Sequence, residues 1–236
     1  MMDEILRIAE YCEKELALNG AKLPDEYYYT SVPHCVIDSV FSIGVRYESV
    51  KNTVMKFSDY FNLKKLRSGA EFPSMTDQLS VDRFLSSFEE LGIDHYIHYV
   101  FKNKQRTSPK NGILKGKAVY RFCKVLQKYE VNFLQDVKNL YGNAEFEKEI
   151  KAIPGQKSGI SLVYFYMLAG DDKRVKPDRM IVRFLEKVLQ RKVKLDEAQN
   201  LLEISAKSLK SKYPNMNPRL LDYQIWNYAR NKDAFK

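Results

Sequence analysis

Ile153-Pro154-Gly155-Gln156-Lys157-Ser158-Gly159 stands between two helical patterns, and how it is read decides what kind of protein the chain makes. Ahead of it, Phe146 to Ile150 marks a short helix. Behind it, Ser158 to Leu168 is a nearly uniform apolar run containing Leu162, Val163, Phe165 and Met167, which suits a helix buried on most sides. Two glycines so placed let the chain turn sharply while backbone N–H groups stay unpaired. At the start of the following helix such groups form a ready seat for a phosphate oxygen, and Lys157 and Ser158 can add a charge and a hydroxyl. The same residues also fit an ordinary turn between two helices.

Outward from this turn, apolar residues recur at helical spacing along nearly the whole chain. Ile5, Ile8, Ala9, Cys12 and Leu16 share one face of a first helix, ended by the polar stretch Gly20 to Pro24. After Tyr27-Tyr28-Tyr29 and Pro33, Val36, Ile37, Val40 and Phe41 begin a second face that Gly44 interrupts, and Glu48 to Phe61 repeats the pattern. Leu63 to Thr76 reads as a charged linker. Val81 to Leu91 is a helix closed by Gly92, and Val119 to Tyr129 is another. Downstream of the turn come Asp178 to Leu189, Leu195 to Ser211 and a last helix carrying Leu221, Ile225 and Tyr228. Some nine or ten helices and no alternating strand pattern predict an all-α protein without internal repeats.

Lysine and arginine total 39 against 30 acidic residues, a net charge of +9 that would suit a polyanion-binding surface. Hydrophobic residues at 44% exclude intrinsic disorder. Cys12, Cys35 and Cys123 lack the spacing of a disulfide framework or a metal site, and no apolar run is long enough for a membrane span. With an acidic start, Met1-Met2-Asp3-Glu4, these features give the expectation of a cytoplasmic protein. The most basic loop holds Lys102, Lys104, Arg106, Lys110 and Lys115 and runs on to Lys117, either as phosphate contacts or as a solvated charge run. His95 and His98 share a helix face without a carboxylate or cysteine partner, so no metal is expected. Trp226 reads most simply as a core anchor.

Ile153-Pro154-Gly155, the apolar helix after it and then Lys176-Pro177-Asp178-Arg179-Met180-Ile181-Val182-Arg183-Phe184 resemble the signature of the helix-hairpin-helix DNA glycosylase superfamily. In that family a hairpin of the type Leu-Pro-Gly-x-Gly precedes a catalytic aspartate by a little over twenty residues, and Asp178 falls there. Cys35 to Ser42 resembles the helix that opens the family's barrel-like lobe, Ser42 to Tyr47 takes the place of its base-intercalating loop, and Asn111 to Ala118 resembles its turn into the helix that leads towards the hairpin. The resemblance covers roughly residues 35 to 190. It implies a two-lobed helix-hairpin-helix glycosylase fold with the active site in the cleft between lobes. Residues 35–170 would form the helical barrel-like lobe ending in the hairpin, and 1–34 with 171–236 the second lobe, all within one glycosylase-like unit, 1–236.

The sequence departs from the family in three places. Lys157 replaces the hairpin's usual second glycine. Gly159 stands where bifunctional members carry a lysine nucleophile, so no Schiff base forms there. The stretch from Lys192 to Lys236 has no cysteine for the iron–sulfur loop many relatives carry. The resemblance therefore implies a monofunctional enzyme without a cofactor, acting as a monomer on double-stranded DNA, away from membranes, to leave an abasic site in base excision repair or in defence against modified foreign DNA. The resemblance makes Asp178 the expected catalytic carboxylate. On the same resemblance Gly155, Gln156, Lys157, Ser158 and Gly159 would form the backbone clamp, and Lys115 and Lys117 would add phosphate contacts. Tyr29, Ile43, Arg46 and Tyr47 are candidates for flipping or holding the base, and Asp222 is a reserve carboxylate. Taken alone, Asp178 also fits a plain helix N-cap. Two rivals remain: a helix-hairpin-helix protein that binds DNA without chemistry, and a helical protein–protein adaptor.

Overall fold

A computed structural model describes residues 2–231. Among these the chain is all-α, with two isolated β-bridges, Tyr29 with Leu66 and Arg106 with Leu114, and no strand. It divides into two compact units. The terminal unit takes the described residues up to Pro24 and those from Asp171 onward; the central unit is Asp25–Gly170.

The terminal unit is a cluster of four helices: α1 (Met2–Glu15), with three others to be numbered α9 (Arg179–Leu189), α10 (Leu195–Leu209) and α11 (Pro218–Asn231). Each buries one stripe. Ile5, Ile8, Ala9 and Cys12 of α1 are buried, as the spacing predicts, and α1 packs on α9 and α10, whose Ile181, Phe184 and Leu202 are buried as well. The Phe184 ring meets Tyr11 and Tyr228 edge-on at 5.6 and 6.2 Å.

In the central unit α2 (Val32–Phe41) is the axis, with all ten of its residues buried. Around it lie α3 (Tyr47–Tyr60), α4 (Val81–Leu91), α6 (Lys115–Lys128) and α8 (Ile160–Leu168), with α7 (Ala144–Ala152) against α6. α5 (Ile93–His95) is a single turn that runs into a π turn, Tyr96–Val100. Pro33 sits in the first turn of α2, where its missing N–H is not required. A helix surrounded on all sides must satisfy its polar groups internally. His34 does so with the hydroxyls of Ser31 and Ser58, at 2.7 and 3.1 Å, and Asp38 accepts the Tyr29 hydroxyl at 2.8 Å.

The structure departs from the sequence reading at the unit boundary, the linker and Trp226, and adds a helix that the sequence reading lacks. The break between units falls at Pro24, not at residue 34, because Tyr29 and Val32 pack into the central core while Thr30 N–H and Tyr28 O bond Lys65 O and Arg67 N–H. That pairing also ties down the charged linker, where Arg67 is buried between the rings of Tyr28 and Phe72. A 3-10 helix, Leu134–Leu140, lies between α6 and α7, its Leu134, Val137 and Leu140 buried at the three-residue spacing of that geometry. Trp226 is half-exposed on α11, stacked on Tyr223 with the Arg230 guanidinium 5.2 Å from its ring.

Candidate nucleic-acid interface and carboxylate site

The 153–159 turn is built from two short loops. Gln156 N–H bonds Ile153 O at 2.9 Å and Gly159 N–H bonds Gln156 O at 3.0 Å. Gly155 and Gly159 hold φ of 86° and 73°, and Gly159 caps α8 in the left-handed conformation. Gln156 is buried and takes the Ser161 hydroxyl on its side-chain oxygen, so it braces the turn from inside. Lys157 and Ser158 stand exposed, and among the described residues their N–H groups make no hydrogen bond. Beside the turn, α7 opens a depression of about 720 Å³ lined by Glu147, Lys148, Lys151, Pro154, Gly155 and Lys157. A Cβ placed on Gly159 would lie 3.0 Å from Lys151 Cε, so the Lys151 side chain fills the space a larger residue there would take.

The basic loop packs against this turn. Thr107 N–H bonds Ile113 O and Lys115 N–H bonds Gln105 O, both at 2.8 Å, which holds residues 105–107 and 113–115 as a short ribbon around the isolated bridge of Arg106 with Leu114. A Cβ on Gly155 would come within 2.3 Å of Thr107 Cβ, so the turn and the ribbon touch at a point that only glycine permits. Arg106 is exposed, its guanidinium on Gly112 O at 2.5 Å, and Lys102, Lys104, Lys110 and Lys117 are exposed as well.

Lys115 is a correction to its expected role as a phosphate contact. It is 1% exposed, and its Nζ donates to Phe41 O and Ile43 O, both at 2.8 Å. It thus caps the C-terminal carbonyls of α2 and fixes the turn that follows. Of the residues on that turn, Ile43 is half-buried, Gly44 has φ of 70°, Arg46 is exposed at the head of α3, and Tyr47 opens α3. The Tyr47 hydroxyl reaches Glu26 at 3.4 Å.

Tyr29, expected to help flip or hold the base, instead belongs to the core: it is 3% exposed, parallel to His34 at 5.8 Å and bonded to Asp38. Burial, with the Asp38 charge next in weight, pushes the phenols of Tyr29, Tyr47 and Tyr164 up. Asp38 lies within Cys35-Val36-Ile37-Asp38, a stretch that reads as core from sequence. Its one signal is an acidic residue inside an apolar run. Burial pushes the His34 imidazole down to about 3, so it stays neutral. His95 shares a 2.8 Å bond with the Tyr60 hydroxyl and His98 one with Asp94 O.

In the terminal unit, Asp178 is the N-cap of α9. Its Oδ1 accepts Met180 N–H at 2.8 Å and Ile181 N–H at 3.3 Å. It is half-buried, and Asp222 lies behind its turn, accepting Lys176 N–H at 3.0 Å. Burial, and then the charge of Asp178, raise the Asp222 carboxyl well above the usual carboxylate range, opposed by Lys176 and Arg219. The carboxylates at 178 and 222, 44 positions apart in sequence, are neighbours only because α9 and α11 pack together.

The chain belongs to the family described as a domain of unknown function, DUF8548, whose model matches residues 6–230. No curated protein and no solved structure matches it.

Proposed function

We propose that the protein is a monofunctional DNA glycosylase of helix-hairpin-helix type, and the observation that carries this reading is the 153–159 turn. Its two left-handed glycines and the exposed Lys157 and Ser158 at the head of an apolar helix supply what a phosphate needs. Asp178 at the head of α9, a little over twenty residues on, supplies the carboxylate. In the reaction the C1′–N bond of an extruded nucleotide breaks, and positive charge builds on the sugar, where Asp178 stabilises it. The oxygen of a water bonds C1′ and its proton ends on the departing base. Ile43 and Arg46, on the turn fixed by Lys115, fill the gap in the duplex, with Tyr47 behind them. Gly159 leaves no amine in the nucleophile's place, so the product is an abasic site with an intact strand. The substrate is a damaged base in repair or a modified base in foreign DNA.

One observation favours binding without chemistry: Asp178 already spends Oδ1 as an ordinary cap on α9. The test is abasic-site formation by wild type and Asp178→Asn protein. The DNA panel is duplexes carrying oxidised, alkylated, deaminated or mismatched bases and phage genomes with modified bases, each with and without alkali. Release in the wild type alone, with breaks only after alkali, supports the glycosylase. Tight, salt-sensitive binding without release on every DNA supports the binding module, and no salt-dependent binding at all favours a protein–protein adaptor.

A further inference from the structure

The loop that ends in Asp178 is held from two helices downstream. Val175 N–H donates to Gln199 Oε1 on α10 at 3.0 Å, and Arg219 on α11 donates its backbone N–H and its guanidinium to Asp172 at 3.3 and 3.0 Å. Nearest the carboxylate, Lys176 N–H donates to Asp222 Oδ1 at 3.0 Å, and Lys176 O accepts Asp178 N–H at 2.7 Å across Pro177. Asp178 Oδ1 then accepts Met180 N–H at 2.8 Å. Three hydrogen bonds, linked through the covalent framework of Lys176 and Asp178, thus tie Asp222 to the head of α9. Pro177 has no N–H, so Lys176 carries the last main-chain donor before Asp178 itself.

A neutral amide would accept the Lys176 N–H equally well without placing a buried carboxyl beside a second one of like charge. Asp222 is 6% exposed, and the charges facing it are Asp178 of its own sign and Lys176 and Arg219 of the opposite one. We propose that Asp222 is the positioning residue for Asp178: from α11 it fixes the turn that presents the carboxylate and sets a second ionisable group behind it. The reaction this serves rests on the glycosylase reading; the positioning does not. Because burial and Asp178 hold the Asp222 carboxyl high, it carries its proton well above the usual range, leaving Asp178 the negative charge at the sugar. As pH rises and Asp222 ionises, a second negative charge joins it, and base release quickens.

Two measurements need no activity. Carboxyl ¹³C titration of Asp222 should show its midpoint falling in Asp178→Asn, because a like charge is removed. Exchange of the Lys176 amide should rise about tenfold or more in Asp222→Ala, which loses the acceptor, and stay slow in Asp222→Asn, which keeps one. In single-turnover base release on the DNA panel above, Asp222→Ala should lose about a hundredfold through misplacement of Asp178, with DNA affinity held. Asp222→Asn should recover most of that loss and lack the rise with pH. An Asp222 midpoint unmoved in Asp178→Asn, or Lys176 exchange unaffected in Asp222→Ala, overturns the positioning. Equal rate losses in both variants with an unaltered pH profile overturn the ionisable role. The expected titration and exchange without base release by wild type on any DNA would uphold the positioning and overturn the glycosylase reading alone. Should Asp222→Ala not fold, Asp222→Asn and Asp178→Asn carry the titration and pH tests.

Discussion

Lys115 and Lys157 are both lysines beside turns, yet one is buried with its ammonium on two carbonyls and the other is exposed beside free backbone donors. Their variants should separate cleanly. Lys115→Met should cost about 3 kcal/mol in urea unfolding, since it uncaps α2, but leave the salt dependence of DNA binding unchanged. Lys157→Ala should cost little stability and lower the slope of log affinity against log salt by about 0.9, one phosphate's worth. Tyr29→Phe removes the donor at 2.8 Å to buried Asp38 and should cost about 2 kcal/mol, read by the same unfolding measurement. In sequence Lys115 was one of a basic run, and nothing in its neighbours distinguished it. Its inward course follows from the C-terminal carbonyls of α2, which are 72 and 74 positions away.

Among the elements, the turn of residues 153–159 and the ribbon of 105–107 with 113–115 form one surface through the contact of Gly155 with Thr107. Gly155→Ala should therefore destabilise by about 2 kcal/mol or more, combining the strain of a positive φ with overlap on Thr107. Gly142, with φ of 78° and nothing within 4 Å of its Cβ position, is the control, and Gly142→Ala should cost about 1 kcal/mol. The amphipathic helices α1, α4, α6 and α9 were readable because each repeats its apolar residues at helical spacing. The 3-10 helix 134–140 and the π turn 96–100 were not, since their periods differ from the one that betrays an α-helix.

At the scale of the molecule, two buried groups oppose each other in the pH dependence of stability. His34 is pushed down to about 3, so between its ordinary value and 3 the unfolded chain binds the extra proton and stability falls as pH falls. Asp222, raised, binds its proton in the folded state, so its contribution is present at low pH and fades as pH rises through its folded midpoint. Equilibrium unfolding between pH 6 and 4 should therefore show His34→Gln losing stability less steeply than wild type, by up to about 1.4 kcal/mol per pH unit. Asp222→Asn should lose less stability than wild type as pH rises from 4 upward. By itself the sequence determined the all-α class, the positions of nearly all the long helices, the glycine turn and the aspartate after it, because periodicity and local turn chemistry act over a few residues. Only the tertiary structure decided that Lys115 caps a helix, that Tyr29 is core, that residues 25–34 join the central unit and that Asp222 stands behind Asp178. Each of these depends on which groups from distant parts of the chain meet, and burial then sets both their partners and their charge.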